Sequence, residues 1–568
     1  MKKILVAVIV IGLIGIFFAK GPIVSLFSQK RPTLSEFSDL ISVSQIGFKP
    51  EDEKSAVLGM NARPELKKFS ILDLKGNKVY EGNGRSVKTK FRGNTLLFVF
   101  DKFEKPGTYY IESNGLQSPS FVIDKDVWKK FNVDNTFDSF FVFQRQRDEI
   151  EGESNKTYLE ADRDLPVYVL DEKGKESSRG DKFADATGGW YDATSTDKET
   201  VKIGWAAQNL LLAYETNPAV FSKKGDSGLE KVLEEARYGL EYLFKIQDKD
   251  GGVFLAVKPY DWWVKGALPR RILVNKCTGV TAKVVAAWAT AYRVFKDKDP
   301  VFAQECFSRA RKGWMWISDN PNSYIMDKAY PGYWTGKVSS VLWAATELYI
   351  STKEPYPKEA QVYKEKAADI IKNSEVKKGV WKTKLGPYAT SALATVIEEP
   401  AIFAYARMYP YLDVKLKKRV ERDLLSWFRY WKASQDKAYG VALEAMKPWF
   451  GMNGWVMQIG MAAMVVGDAS GREDIIKFGK DQVQWVLGDN PFGMSFVVGY
   501  GTDYHRYPFK RPLDKSIGGV VPGIIDKNKD GIPENVGPYE GQTDECTLDG
   551  GGFLVWDIAL LDKLVDNN

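Results

Sequence analysis

The feature that most restricts this chain is the period of its apolar residues. Up to about residue 124 they alternate in short runs; from Val127 onward they recur every three or four positions. The second pattern predicts about twelve helices, over 137–147, 201–214, 229–246, 280–295, 302–317, 339–350, 359–373, 390–408, 415–431, 453–466, 472–487 and 553–564. Breakers such as Asn320-Pro321-Asn322 and Tyr409-Pro410-Tyr411 separate them. Twelve helices can close as six hairpins into an (α/α) toroid, expected over residues 126–568. Periodicity alone also fits an open solenoid, although no fixed sequence repeat is present. Before the switch, β-forming runs such as Leu96-Leu97-Phe98-Val99-Phe100 stand between turn signals such as Lys105-Pro106-Gly107 and Asn114-Gly115. They predict an all-β immunoglobulin-like sandwich over residues 38–125, without the Cys…Trp…Cys core of antibody domains.

The first residues belong to neither unit. Lys2 and Lys3 precede an apolar run from Ile4 to Ala19, a basic start followed by an export segment. Small residues of the A-x-A type are missing from its end. An uncleaved membrane anchor over 1–28 with a polar tether over 29–37 is therefore expected, the rest facing outward; cleavage would make the protein secreted.

The charge balance, 80 basic against 74 acidic residues, shows no basic stripe, and nucleic acid is not an expected partner. The three cysteines are far apart, which argues against a disulfide framework or a zinc site. With His505 the only histidine, acid–base chemistry falls to carboxylates. Three long connections, 181–198, 258–277 and 490–552, would gather at one end of a toroid, where function usually lies. The first carries Gly188-Gly189-Trp190-Tyr191-Asp192-Ala193, in which two glycines allow a tight turn that fixes the four residues after it. The third carries Glu545 and Asp549, four apart at the start of the last helix. Acidic residues there either do chemistry or simply favour helix formation. Trp and Tyr rings either line a sugar cleft or fill a core.

Together and in order, these segments resemble glycoside hydrolase family 9. Ser42-Val43-Ser44-Gln45-Ile46-Gly47-Phe48 resembles the opening strand of the immunoglobulin-like domain that often precedes its catalytic module. Phe141-Val142-Phe143-Gln144-Arg145 resembles its first catalytic helix, and Gly188 to Ala193 its G-G-W-Y-D-A-G-D loop. The run from Leu487 to Gly501 resembles its L-G-x-N-P-x-G-x-S-[YF]-V-x-G-[YF]-G segment, and Glu545 to Asp549 its N-E-x-x-x-D. The resemblance implies inverting hydrolysis of β-linked glucan-type poly- or oligosaccharides by paired carboxyls. Glu545 would be the acid and Asp192 would help to hold the water. Trp190, Tyr191, Arg511 and His505 are candidate substrate-binding residues.

Two departures matter. The family's second Asp, its base, is here Ser195, and Asp197 can replace it only if the loop bends to bring it in. Where the family often has P-H-H-R, this chain has Pro508-Phe509-Lys510-Arg511, and Asp544 stands where Asn precedes the acid, close enough to raise its pKa by like-charge repulsion. No cofactor is required. A structural calcium is expected at Asp526, Asn528 and Asp530, whose alternate oxygens before Gly531 suit a hard cation. The competing expectation is a glycan-binding protein that keeps the fold without the base. A polysaccharide lyase would need a Tyr or His base, and the Glu545 motif argues against it.

Overall fold

The computed structural model describes residues 39–60, 67–91, 93–145, 165–170, 176–194, 197–259, 271–323, 338–385, 400–442, 451–524 and 541–564. The proposed anchor and tether, Ser195, the Asp526–Asp530 turn and the first half of the helix expected over 390–408 lie outside them.

Among the described residues, ten short strands form the expected sandwich. One sheet has the order β1 (Leu40–Val43), β3 (Ser55–Met60), β7 (Asn94–Val99), β6 (Arg85–Val87). The other has β2 (Gly47–Phe48), β10 (Phe121–Ile123), β8 (Gly107–Ser113), β4 (Lys68–Asp73), β5 (Lys78–Asn83), with β9 (Leu116–Gln117) paired to β8. Alternate residues point inward, so Ile41, Val43, Leu58, Ile71, Leu96 and Ile111 are buried between the sheets. Phe69 and Phe98 stack across the gap at 4.6 Å.

The helical region begins with α1 (Val127–Lys130) and a π turn, Phe137–Phe141, that continues as α2 (Val142–Arg145). Six helices then form an inner ring: α3 (Thr200–Thr216), α5 (Thr278–Phe295), α7 (Val338–Thr352), α9 (Ala401–Met408), α11 (Asn453–Ser470) and α14 (Leu548–Lys563). Each packs on the next, and α14 packs back on α3, so the ring closes as an (α/α)6 toroid and not as a solenoid. The outer helices are α4 (Lys231–Lys245), α6 (Pro300–Asp319), α8 (Pro357–Lys372), α10 (Val414–Ala433) and α12 (Glu473–Val486); α13 (Gly541–Asp544) is a single turn. The sequence sorts the two layers. Inner helices such as α5 and α14 are buried nearly all round, whereas α4 and α12 bury one face.

Inner and outer helices alternate along the chain, so the inner helices run the same way and their N-termini gather at one end. Two of the connections expected there to be irregular contain strands instead. β12 (Glu176–Ala184), β11 (Leu165–Leu170), β15 (Arg271–Lys276), β14 (Phe254–Pro259) and β13 (Lys198–Glu199) form a sheet in that order. A two-residue strand and pairings across about a hundred residues leave no local period to read.

The sandwich is bolted to the toroid through its first strand. Ser42 Oγ donates to the Asn490 carbonyl (2.6 Å), Gln45 Nε2 to that of Gly493 (2.8 Å), and Asp503 N–H to Gln45 Oε1 (2.7 Å). The Lys480–Asp52 ion pair, at 2.9 Å, is enclosed between the two units. These bonds hold the segment that leads to His505 and Arg511.

Candidate active site

The loop before α3 is set by Gly188 and Gly189, both at positive φ (88° and 73°). A Cβ on Gly189 would also lie 2.6 Å from the Tyr242 ring. The next two residues are wall, not cleft, which corrects the sequence expectation. Trp190 is fully enclosed. Its indole N–H donates to Glu235 Oε1 at 2.7 Å, and its ring packs against Phe141 at 5.6 Å and over Gly239. Tyr191 is equally buried beside Lys198. Neither ring is available to a sugar; their packing fixes Asp192, the next residue in the chain. Trp190→Phe should cost about 1–3 kcal/mol in urea unfolding, because Glu235 loses a buried donor. It should leave glycan affinity unchanged; a loss of affinity at intact stability would contradict this placement.

Gln144, which sequence reasoning did not single out, clamps the loop. Its carbonyl accepts from Tyr191 N–H (3.0 Å), and its Nε2 donates to the carbonyls of Tyr191 (3.0 Å) and Asp192 (3.3 Å). Arg511 Nη2 donates to Gln144 Oε1 (2.5 Å) and to the Ala193 carbonyl (3.4 Å). Its guanidinium lies over Phe140 and Phe143. Arg511 is therefore buried and braces the loop backbone through Nη2, and burial lowers its pKa.

Three interactions join this loop to Glu545 and the start of α14. Leu548 N–H donates to the Asp192 carbonyl at 2.8 Å. Thr194 N–H donates to Glu545 Oε1 at 2.7 Å, and the Thr194 hydroxyl donates to the same oxygen. Asp197 joins through its carbonyl, which accepts from Asp192 N–H at 3.0 Å, and its side chain is buried. The structure thus collects Asp192, Asp197 and Glu545 around one clasped loop. His505 is not part of it. It is fully buried with Nε2 3.3 Å from Asp544 Oδ1, so the expected sugar contact is corrected to a buried contact with the residue before Glu545. The Asp544 carboxylate expected beside Glu545 meets His505 instead.

Asp192 is the electrostatic centre. Burial raises its pKa to about 7; the Lys202 ammonium, 2.8 Å away, opposes this, while Glu199 and Asp549 add to it. Because the folded state holds this proton more tightly than a free carboxyl, the stability contributed is present below about pH 3.8 and lost as pH rises through about 7. Asp192→Asn should flatten that part of a denaturation-versus-pH curve; an unchanged slope would contradict the assignment. Among the described residues no cluster of three or more His, Cys, Asp or Glu could hold a metal ion.

Comparison with known proteins agrees with this architecture. Residues 138–535 match the family model described as glycosyl hydrolase family 9, and residues 36–118 match that of the cellulase N-terminal ig-like domain. The chain is 24% identical over 545 residues to a cellodextrinase of Butyrivibrio fibrisolvens, covering 90% of this chain and 93% of that one. It is 23% identical to a xyloglucan-specific endo-beta-1,4-glucanase of Bacteroides ovatus, covering 86% and 85%. Among solved structures, Bacteroides ovatus GH9 superposes with a TM-score of 0.72 at 19% identity, covering 93% of this chain and 99% of that one. A metagenome-derived family 9 endoglucanase superposes at 0.70, with 24% identity and coverage of 94% and 100%.

Proposed function

The chain belongs to glycosyl hydrolase family 9, and from that premise we propose that it hydrolyses β-linked glucans or their oligosaccharides with inversion at the anomeric carbon. Relatives named for cellodextrin, cellulose and xyloglucan support a β-1,4-linked glucan backbone as substrate. The observation that carries the reading is the Thr194–Glu545 clasp, which ties Glu545 to the loop that carries the buried Asp192 carboxyl.

Glu545 donates its proton to the glycosidic oxygen as the C1–O bond breaks. Water attacks C1 from the other side, and Asp192 accepts the proton it loses. Thr194 donates to Glu545 Oε1 and so fixes the orientation of the carboxyl. Asp197 holds the Asp192 backbone in place. The basic start and apolar run at residues 2–19 support action outside the cell, on the outer face of a membrane or after secretion.

The test is reducing-sugar release from a panel of cellodextrins, β-glucans, xyloglucan and chito-oligosaccharides. Release from a β-1,4-glucan is expected. The rival role as a binding protein has one observation in its favour: Ser195 stands at the family's base position. No release from any glycan, with a measurable Kd for one, would establish that role instead.

A further inference from the structure

Lys202, on the first turn of α3, lies between two buried carboxylates. Its ammonium is 2.8 Å from Asp192 and 3.3 Å from Glu199 Oε2, and the three side chains are only 18%, 12% and 5% exposed. Neither acid can be charged cheaply in that place without the cation. Among the described residues, two other elements also bring charge to Asp192. Asp549, on the first turn of α14, adds negative charge, and Arg511 adds positive charge while spending its Nη2 on Gln144 and Ala193. Lys202 is therefore the cation in direct contact with the Asp192 carboxylate, and the Glu199 carboxylate holds it from the other side.

We propose that Lys202 is a positioning residue that keeps the Asp192 carboxylate charged and oriented, with Glu199 as the counterweight that limits how strongly it does so. The inference builds on the proposed role of Asp192 and names the device that sets the pH range in which that role is available. Burial alone pushes the Asp192 pKa up, Lys202 pulls it back, and Glu199 and Asp549 oppose Lys202. The two neighbours therefore act on Asp192 in opposite directions.

The experiment reads Asp192 directly. Full-length protein carrying ¹³C-carboxyl aspartate is titrated by NMR, the Asp192 resonance being the one lost in Asp192→Asn. In parallel, the acid limb of kcat/KM is followed on a cellodextrin. Lys202→Met should move both midpoints up by about one pH unit or more, the effect of removing an opposite charge in contact. Lys202→Arg should restore them in part, and Glu199→Gln should move them down. A folded Lys202→Met with an unmoved carboxyl midpoint would overturn the assignment, as would shifts in the same direction for Lys202→Met and Glu199→Gln. The carboxyl titration needs no turnover, so the two readings fail separately. Opposite NMR shifts in a protein that cleaves nothing would remove the hydrolase reading and leave Lys202 in its role. Cleavage with an unmoved carboxyl midpoint would do the reverse.

Discussion

Replacing Glu545 with Gln is expected to lower kcat on a cellodextrin by about a hundredfold to ten-thousandfold, the usual contribution of a general acid. That loss corresponds to about 3–5 kcal/mol of transition-state stabilisation. The side chains have nearly the same shape, and the Gln carbonyl can still accept from Thr194 N–H, so the clasp between the two segments survives. What disappears is the proton given to the leaving oxygen. An aryl glycoside, whose leaving group departs without that proton, should therefore lose much less. Equal losses on both substrates would mean that Glu545 acts in some other way, and an unchanged rate on the cellodextrin would remove it from the reaction.

The second large effect is that of Asp192→Asn, expected to cost a comparable factor through loss of the group that takes the proton from water. Here the leaving group should not matter, because the missing step is activation of the nucleophile. Aryl glycoside and cellodextrin should suffer alike, which separates this variant from Glu545→Gln. Asn keeps the size of the side chain but gives up the ion pair with Lys202, so the urea midpoint of Asp192→Asn is measured beside its rate and the rate is read on folded protein. Asp197→Asn at full rate alongside a crippled Asp192→Asn would place the base at Asp192; the reverse pattern would move it to Asp197.

Much of this arrangement is legible in the sequence because helices repeat locally. The helix that periodicity places over 201–214 is Thr200–Thr216, and the one it places over 453–466 is Asn453–Ser470. The last helix shows where local reading stops. Periodicity starts it at 553, whereas it begins at Leu548, because Asp549-Gly550-Gly551-Gly552 resembles a loop. The glycines are there for packing: a Cβ on Gly551 would lie 2.4 Å from the Phe140 ring, and one on Gly552 3.3 Å from Ala206 Cα. The site divides in the same way. Asp192 and Glu545 can be named from their motifs, but a motif does not tell which way a ring faces. Trp190 serves the core because Glu235, 45 residues away, takes its N–H. Lys202 gives no signal, since it reads as one more polar residue on a helix, and Gln144 is visible only as part of the Phe141–Arg145 segment; each acquires its role only where α2, α3 and α14 meet.

The central claim is that the Asp192 loop and Glu545 act on opposite sides of the scissile bond, so that water displaces the leaving sugar directly. The most direct measurement is the anomeric configuration of the first product, followed by ¹H NMR before mutarotation, during hydrolysis of a β-linked cellodextrin. Inversion predicts that the α-anomer appears first and the β-anomer only as mutarotation proceeds. Initial accumulation of the β-anomer would show a covalent intermediate and contradict the account.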